Sequence, residues 1–202
     1  MYMNYVHVVE NVIPPDYCKH IIDKFERSDK KHVGYLGKGV IHKELKNSTD
    51  LHPSQVPGWK DEIESVDRYL GNSFFKYLKY LRDDVLDGDD LILRQMFSHL
   101  PSIDVTGIQI QRYVPGEYFN WHCDDSYGKK RLVAYIMYLN DMGIDDGGKT
   151  QFIEDNMEII PKAGNILFFP STWSYVHRGE TVKRGKKYII TGFISEVLTG
   201  ED

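Results

Sequence analysis

The chain is 202 residues long, a length one core can organise, and 41% hydrophobic with 13% aromatic residues, too apolar for a disordered chain. With 25 Lys+Arg against 30 Asp+Glu the formal net charge is -5, which argues against a broad phosphate-binding surface and so against nucleic acid as a partner. No apolar run approaches the roughly 18 residues of a membrane span, and Met1–Pro15 lacks the basic start and long apolar stretch of a secretory signal. Two cysteines, Cys18 and Cys123, make no disulfide framework. Together these features lead us to expect a cytoplasmic protein with no membrane partner.

Taken in chain order, Tyr5–Ile13 is a short β-branched run that predicts an edge strand, stopped by Pro14 and Pro15. Asp16 is positioned to cap a helix over Asp16–Arg27, where Cys18, Ile21, Ile22 and Phe25 recur at helical steps. A second helix is predicted over Gly58–Arg82 from Ile63, Val66, Leu70, Phe74, Leu78 and Leu81. Between them Lys31–Pro57 is polar, with Gly34, Gly37 and Gly39, and reads as a long loop holding at most one short strand. After Ser102 the texture changes to short Val/Ile/Tyr/Phe runs separated by turn residues: 105–113, 131–139, 150–153, 157–160, 166–169, 176–182 and 187–197. Such closely spaced strands predict a mainly β (α+β) fold, a sandwich or jelly roll, with supporting N-terminal helices. No repeat or linker divides the chain, so residues 1–202 are expected to form one domain, with 1–101 as helical support and substrate loop and 102–198 as the catalytic core.

His122-Cys123-Asp124 carries the chemistry. In an extended segment residues i and i+2 project to one side, so the imidazole and the carboxylate offer two adjacent ligands to one metal. A distant third ligand completes a two-histidine, one-carboxylate facial triad, which suits non-haem Fe(II) and leaves positions open. The tripeptide alone is weak, since composition gives roughly 0.75 such triplets by chance. A decoy, His42-Lys43-Glu44, lies in the polar loop. The context favours His122: it follows a strand, the Pro115-Gly116 turn and the aromatics Tyr118, Phe119 and Trp121. His177 follows Asp124 by 53 residues, and Lys187 follows His177 by ten.

This conjunction resembles the Fe(II)/2-oxoglutarate-dependent dioxygenase superfamily, and within it the prolyl 4-hydroxylase-like group, over roughly 105–197. The resemblance implies a double-stranded β-helix (jelly roll) and a metal bound by His122, Asp124 and His177. It implies Fe(II), 2-oxoglutarate as co-substrate and O2, and admits ascorbate as an accessory reductant. Lys187 would hold the far carboxylate of 2-oxoglutarate. The alternation of the last strand leaves Lys186 as a rival, because both of its faces are apolar; the family places the anchor directly before the aromatic, here Tyr188. Tyr113 and Tyr138 match family tyrosines near 2-oxoglutarate, with Tyr135 the rival to Tyr138. Gln109, Gln111 and Tyr113 share a polar strand face suited to a wet pocket, and Thr150 is expected to point inward. Trp121 and Trp173 are candidates for a hydrophobic wall or for simple packing. Cys123 is expected to turn away from the metal as a small core residue. Family members that halogenate lack the carboxylate ligand, so Asp124 favours hydroxylation.

The group resemblance favours a prolyl residue in a peptide or protein as substrate, with Lys31–Pro57, including Lys43, Lys46 and Ser48, folding over the site as a gate. A free amino acid or other small molecule is the alternative within the superfamily. Two readings from other classes stay open: a cupin-like barrel that binds a metal or ligand without oxidation, and a zinc hydrolase using Asp125 as base. The first predicts a metal without 2-oxoglutarate affinity, and the second leaves the His177–Lys187 spacing unexplained.

Overall fold

The computed structural model describes residues 4–36, 39–98, 103–124 and 130–196. Gly37, Ser102, Asp125 and Val197 lie outside the described residues.

The chain starts with β1 (His7–Val9), helix α1 (Pro15–Arg27), and three short strands, β2 (His32–Val33), β3 (Lys46–Asn47) and β4 (Thr49–Leu51). Helix α2 (Lys60–Tyr80) runs on into one π-helical turn, Leu81–Val85, and is followed by α3 (Asp90–Met96). The strand half comprises β5 (Ile103–Tyr113), β6 (Tyr118–His122), β7 (Arg131–Tyr138), β8 (Thr150–Phe152), β9 (Glu158–Ile159), β10 (Ile166–Pro170), β11 (His177–Gly179) and β12 (Lys187–Glu196).

Two antiparallel sheets form the jelly roll. The larger has the order β1-β10-β7-β12-β5-β4-β2, and the smaller β3-β6-β11-β8-β9. Alternation along the central strands shows why they read as continuous apolar runs. On β7, Val133, Tyr135 and Met137 pack toward the helices, while Ala134, Ile136 and Tyr138 pack between the sheets. On β12, Tyr188, Ile190 and Ile194 belong to the helix-side core with Ile21, Phe25, Leu70 and Phe74. A sheet covered on both faces loses the polar-out signature of a half-exposed one.

The helices follow the predicted faces, with two corrections. Asp16 makes no capping bond; Pro15 stands at the first helical position, where its missing N–H costs nothing, and Asp16 sits in the first turn facing the positive end of the helix dipole. Helix α3 was not expected. Asp89 caps it by accepting from the N–H groups of Leu91 and Ile92, but no α3 residue is buried, so no apolar periodicity marks it.

The segment 31–57 is also corrected. It is not a free loop with one strand but holds β2, β3 and β4. β4 pairs with β5 in the larger sheet, and β3 pairs with β6 in the smaller. Strands of two or three residues rich in Lys, Asn and Asp have no alternation to read; their partners define them. The segment is therefore part of the wall between the sheets, not a detached gate.

Helix α1 is tied to the back of the larger sheet through Glu26. Arg112 Nη1 donates to both of its carboxylate oxygens (2.9 and 3.1 Å), and the Tyr188 hydroxyl donates to Oε1. Burial pushes the Glu26 carboxyl up, but the Tyr188 and Arg112 hydrogen bonds outweigh it and hold the group below its ordinary value. Its contribution is present above the unfolded-state value and is lost as pH falls through the lower folded value. Glu26→Ala is expected to lower stability by about 2 kcal/mol at neutral pH, with the deficit shrinking in acid. Urea unfolding at neutral and acidic pH reads both.

Candidate active site

β6 ends at His122 and β11 begins at His177, and the antiparallel pairing of these strands sets the two histidines directly opposite each other. Asp124 lies two residues past the strand end. The Asp124 oxygens are 3.8 Å from His122 Nε2 and 3.7 Å from His177 Nε2, and one ligand atom from each residue lies within 4.8 Å of the others. Among the described residues this is the one group of three such side chains with that spacing. His42 and Glu44 are exposed and outside it.

The neighbours of each ligand fix its chemistry. His122 Nδ1 lies 2.7 Å from the Asn120 carbonyl and His177 Nδ1 3.0 Å from the Tyr175 carbonyl. A carbonyl only accepts, so each Nδ1 carries a proton, and the neutral ring in that tautomer presents its lone pair at Nε2. Phe119 stacks on His122 at 3.6 Å, and Phe169 meets His177 edge-on at 4.7 Å. Burial, the facing His177 and Lys46 hold His122 well below its ordinary value, so it is a neutral imidazole. Burial also raises the Asp124 carboxyl, opposed by His177 and Arg131. A buried carboxylate beside two imidazole lone pairs is a donor set short of positive charge. One borderline divalent cation with open positions satisfies it, and the set fits Fe(II).

The triad opens into a cavity of about 370 Å³ between the sheets. Gln109, Gln111 and Tyr113 line it from β5, while Ile110 faces the helix-side core. From β12, Lys187, Ile189, Thr191 and Phe193 line it. Lys187 is 3% exposed and forms no ion pair among the described residues. Its Nζ lies 5.7 Å from the Tyr113 ring and 5.9 Å from the Tyr138 ring. Burial pushes its ammonium down to about 7, with Glu180 pulling the other way. Lys186, on the opposite face, is exposed and sits 3.8 Å from Glu26. Tyr138 is beside Lys187 but does not line the cavity; Thr150, 2.8 Å from its hydroxyl, does. Tyr135 faces the helices.

Two expectations fail here. Cys123 is exposed and lines the cavity, because β6 ends at His122 and strand alternation does not extend to it. Trp173 is 73% exposed and neither walls the cavity nor packs in a core. Trp121 is half-buried, with the Arg178 guanidinium 4.6 Å from its ring centroid.

Two cavity residues escaped the sequence reading as individual groups. Arg131 donates to the Asp124 backbone carbonyl at 2.8 Å and lies over the Phe193 ring at 3.7 Å. Lys46, named before only as part of a loop, reaches the cavity from β3. Arg131 opens an apolar strand, where a start-of-strand charge is unremarkable, and no local signal singles it out.

Residues 108–195 match the sequence profile described as the 2OG-Fe(II) oxygenase superfamily. Over 98 residues the chain is 28% identical to a PKHD-type hydroxylase of Synechococcus, covering 46% of this chain and 43% of that protein. The chain thus spans less than half the length of this curated relative. The fold is similar to the viral collagen prolyl hydroxylase of Paramecium bursaria Chlorella virus-1, solved as its 2-oxoglutarate complex. That similarity has a TM-score of 0.66 at 22% identity and covers 96% of this chain and 97% of that one. It is also similar to a Trichoplax adhaerens prolyl hydroxylase solved with a hypoxia inducible factor peptide fragment, with a TM-score of 0.69 at 16% identity, covering 96% and 84%. Among the described residues no helix is long and apolar enough to cross a membrane.

Proposed function

We propose that the chain is a member of the Fe(II)/2-oxoglutarate oxygenase superfamily, whose profile matches residues 108–195, and that on its prolyl 4-hydroxylase-like fold it hydroxylates an unactivated C–H bond of a prolyl residue in a peptide or protein. The observation that carries this reading is the convergence in one cavity of His122, Asp124 and His177 with a buried Lys187 that has no ion-pair partner among the described residues.

In this reading His122, Asp124 and His177 hold Fe(II). The bound metal supplies the activation of O2 that couples decarboxylation of 2-oxoglutarate to hydroxylation. The Asn120 and Tyr175 carbonyls keep both imidazoles in the ligating tautomer. Phe119 and Phe169 fix the ring planes and keep water from the rear of the site. Lys187 binds the far carboxylate of 2-oxoglutarate, and Tyr113 and Thr150 form the neighbouring polar wall. Arg131, bonded to the Asp124 backbone, holds the carboxylate ligand in place.

A peptide substrate is supported by the wall that Tyr35, Leu36, Leu45 and Lys46 add above the cavity, and by the substrates named for the structural neighbours. Prolyl peptides are expected to stimulate conversion of 2-oxoglutarate to succinate with Fe(II), and free amino acids are not. A peptide panel that gives no stimulation while a free amino acid does would replace the peptide reading with the small-molecule one.

A further inference from the structure

The segment that walls the cavity contains a buried charge pair that neither the metal nor 2-oxoglutarate requires. Lys46 Nζ donates to Asp50 Oδ2 at 2.6 Å, and the Ser48 hydroxyl donates to Asp50 Oδ1 at 2.7 Å. All three residues are at most 3% exposed. Lys46 belongs to β3 of the smaller sheet and Asp50 to β4 of the larger, so the pair stitches the sheets together. The packing around it is close: a Cβ on Gly34 would lie 2.1 Å from Ser48 Oγ. Of the three, Lys46 alone lines the cavity, together with the triad. Its ammonium lies 5.2 Å from the Phe119 ring, which stacks on His122.

Desolvating two charges is costly, and an apolar pair would close the same gap between sheets at less cost. The ammonium has three N–H donors, and among the described residues Asp50 is its one hydrogen-bond partner. Donors on this cavity-lining residue are therefore left without a partner among the described residues. Asp50 already balances the charge of Lys46, so the acceptor that suits them is neutral. An amide carbonyl fits; a free carboxylate would leave the pocket with excess negative charge. Lys187 is the contrasting case, a buried cation without an ion-pair partner among the described residues, suited to a carboxylate.

We propose that Lys46, held by Asp50, is a substrate-binding residue that donates to an amide carbonyl of the peptide beside the Phe119–His122 stack, with Asp50 as the positioning residue that makes the site prefer amides to carboxylates. This rests on the prolyl-peptide reading above and specifies how that peptide is recognised.

The test uses acetyl-capped short peptides ending at the proline, as carboxamide and as free carboxylate, with succinate formation as the readout. Wild type should favour the carboxamide. The double variant Lys46→Gln/Asp50→Asn, neutral at both positions, should lose about tenfold or more in kcat/KM for the carboxamide. Its KM for 2-oxoglutarate should stay within about twofold of wild type. Asp50→Asn alone leaves Lys46 as a net cation and should shift the amide-to-acid preference about tenfold toward the acid, a change that loss of a mere clamp would not produce. An unmoved amide-to-acid ratio in Asp50→Asn, or parallel losses for peptide and 2-oxoglutarate in the double variant, would overturn the assignment. Should the single variant not fold, the double variant decides. If wild type turns over a free amino acid and no prolyl peptide, the substrate reading itself fails, and this assignment falls with it.

Discussion

Replacing His177 with alanine is expected to abolish 2-oxoglutarate turnover while leaving a folded chain. His177 is buried against Phe152 and Phe169, so the truncation loses packing worth about 1–3 kcal/mol. A domain with ordinary stability of about 5–15 kcal/mol survives that. The metal site does not, because two ligands remain and one of them, Asp124, is a carboxylate already raised by burial. Even groups one shell further out are typically worth about 10–100-fold in metal affinity, so loss of a direct ligand should exceed this. Circular dichroism and succinate formation separate the two effects. His42→Ala and Glu44→Ala, both at exposed positions, should leave metal affinity unchanged. Retained turnover in His177→Ala would remove this histidine from the site.

Lys187→Ala should raise the apparent 2-oxoglutarate requirement by about 30-fold or more, since truncating one partner of a desolvated charge pair typically costs about 2–5 kcal/mol. Lys186→Ala should do far less, because its ammonium is exposed and on the opposite face. The reverse ranking would mean that the face assignment of β12 is wrong. A pH signature accompanies the effect. In the free protein burial holds Lys187 down to about 7, so between that pH and the ordinary lysine value the folded chain binds fewer protons than the unfolded one. Its contribution to stability therefore rises with pH across that window. A carboxylate in the site demands the ammonium form. Binding of 2-oxoglutarate to a protein loaded with a redox-silent metal such as Zn(II) should take up a proton above pH 7 and weaken as pH rises further. Calorimetry in buffers of different ionisation heat measures the uptake, and Lys187→Ala should lose it.

The strand half was legible because turn residues punctuate its apolar runs, and the α1 and α2 faces were legible because Ile21, Phe25, Val66, Leu70 and Phe74 recur at helical steps. The fold class followed from that texture. The candidate site was legible where chemistry and spacing coincide, in His122-Cys123-Asp124, His177 and Lys187. Periodicity could not separate Lys187 from Lys186, because β12 is covered by the cavity wall on one side and helices on the other. Cys123 was misread because alternation was carried past the strand end at His122. The polar segment around β3 and β4 hid most. Lys46, Ser48 and Asp50 look solvated in sequence, yet they are buried because two separate sheets close on them, a long-range fact that no local pattern carries.

Isotopically labelled O2 reports whether the triad supports oxygenation coupled to 2-oxoglutarate. With Fe(II), 2-oxoglutarate and a prolyl peptide, one labelled oxygen atom should enter succinate and one should enter the hydroxylated peptide, in equal amounts. Both should vanish in Asp124→Ala, which removes the carboxylate ligand. Label absent from succinate and peptide in the wild-type protein, with metal bound and the chain folded, would rule out coupled oxygenation and return the cavity to a site that binds metal without oxidising anything.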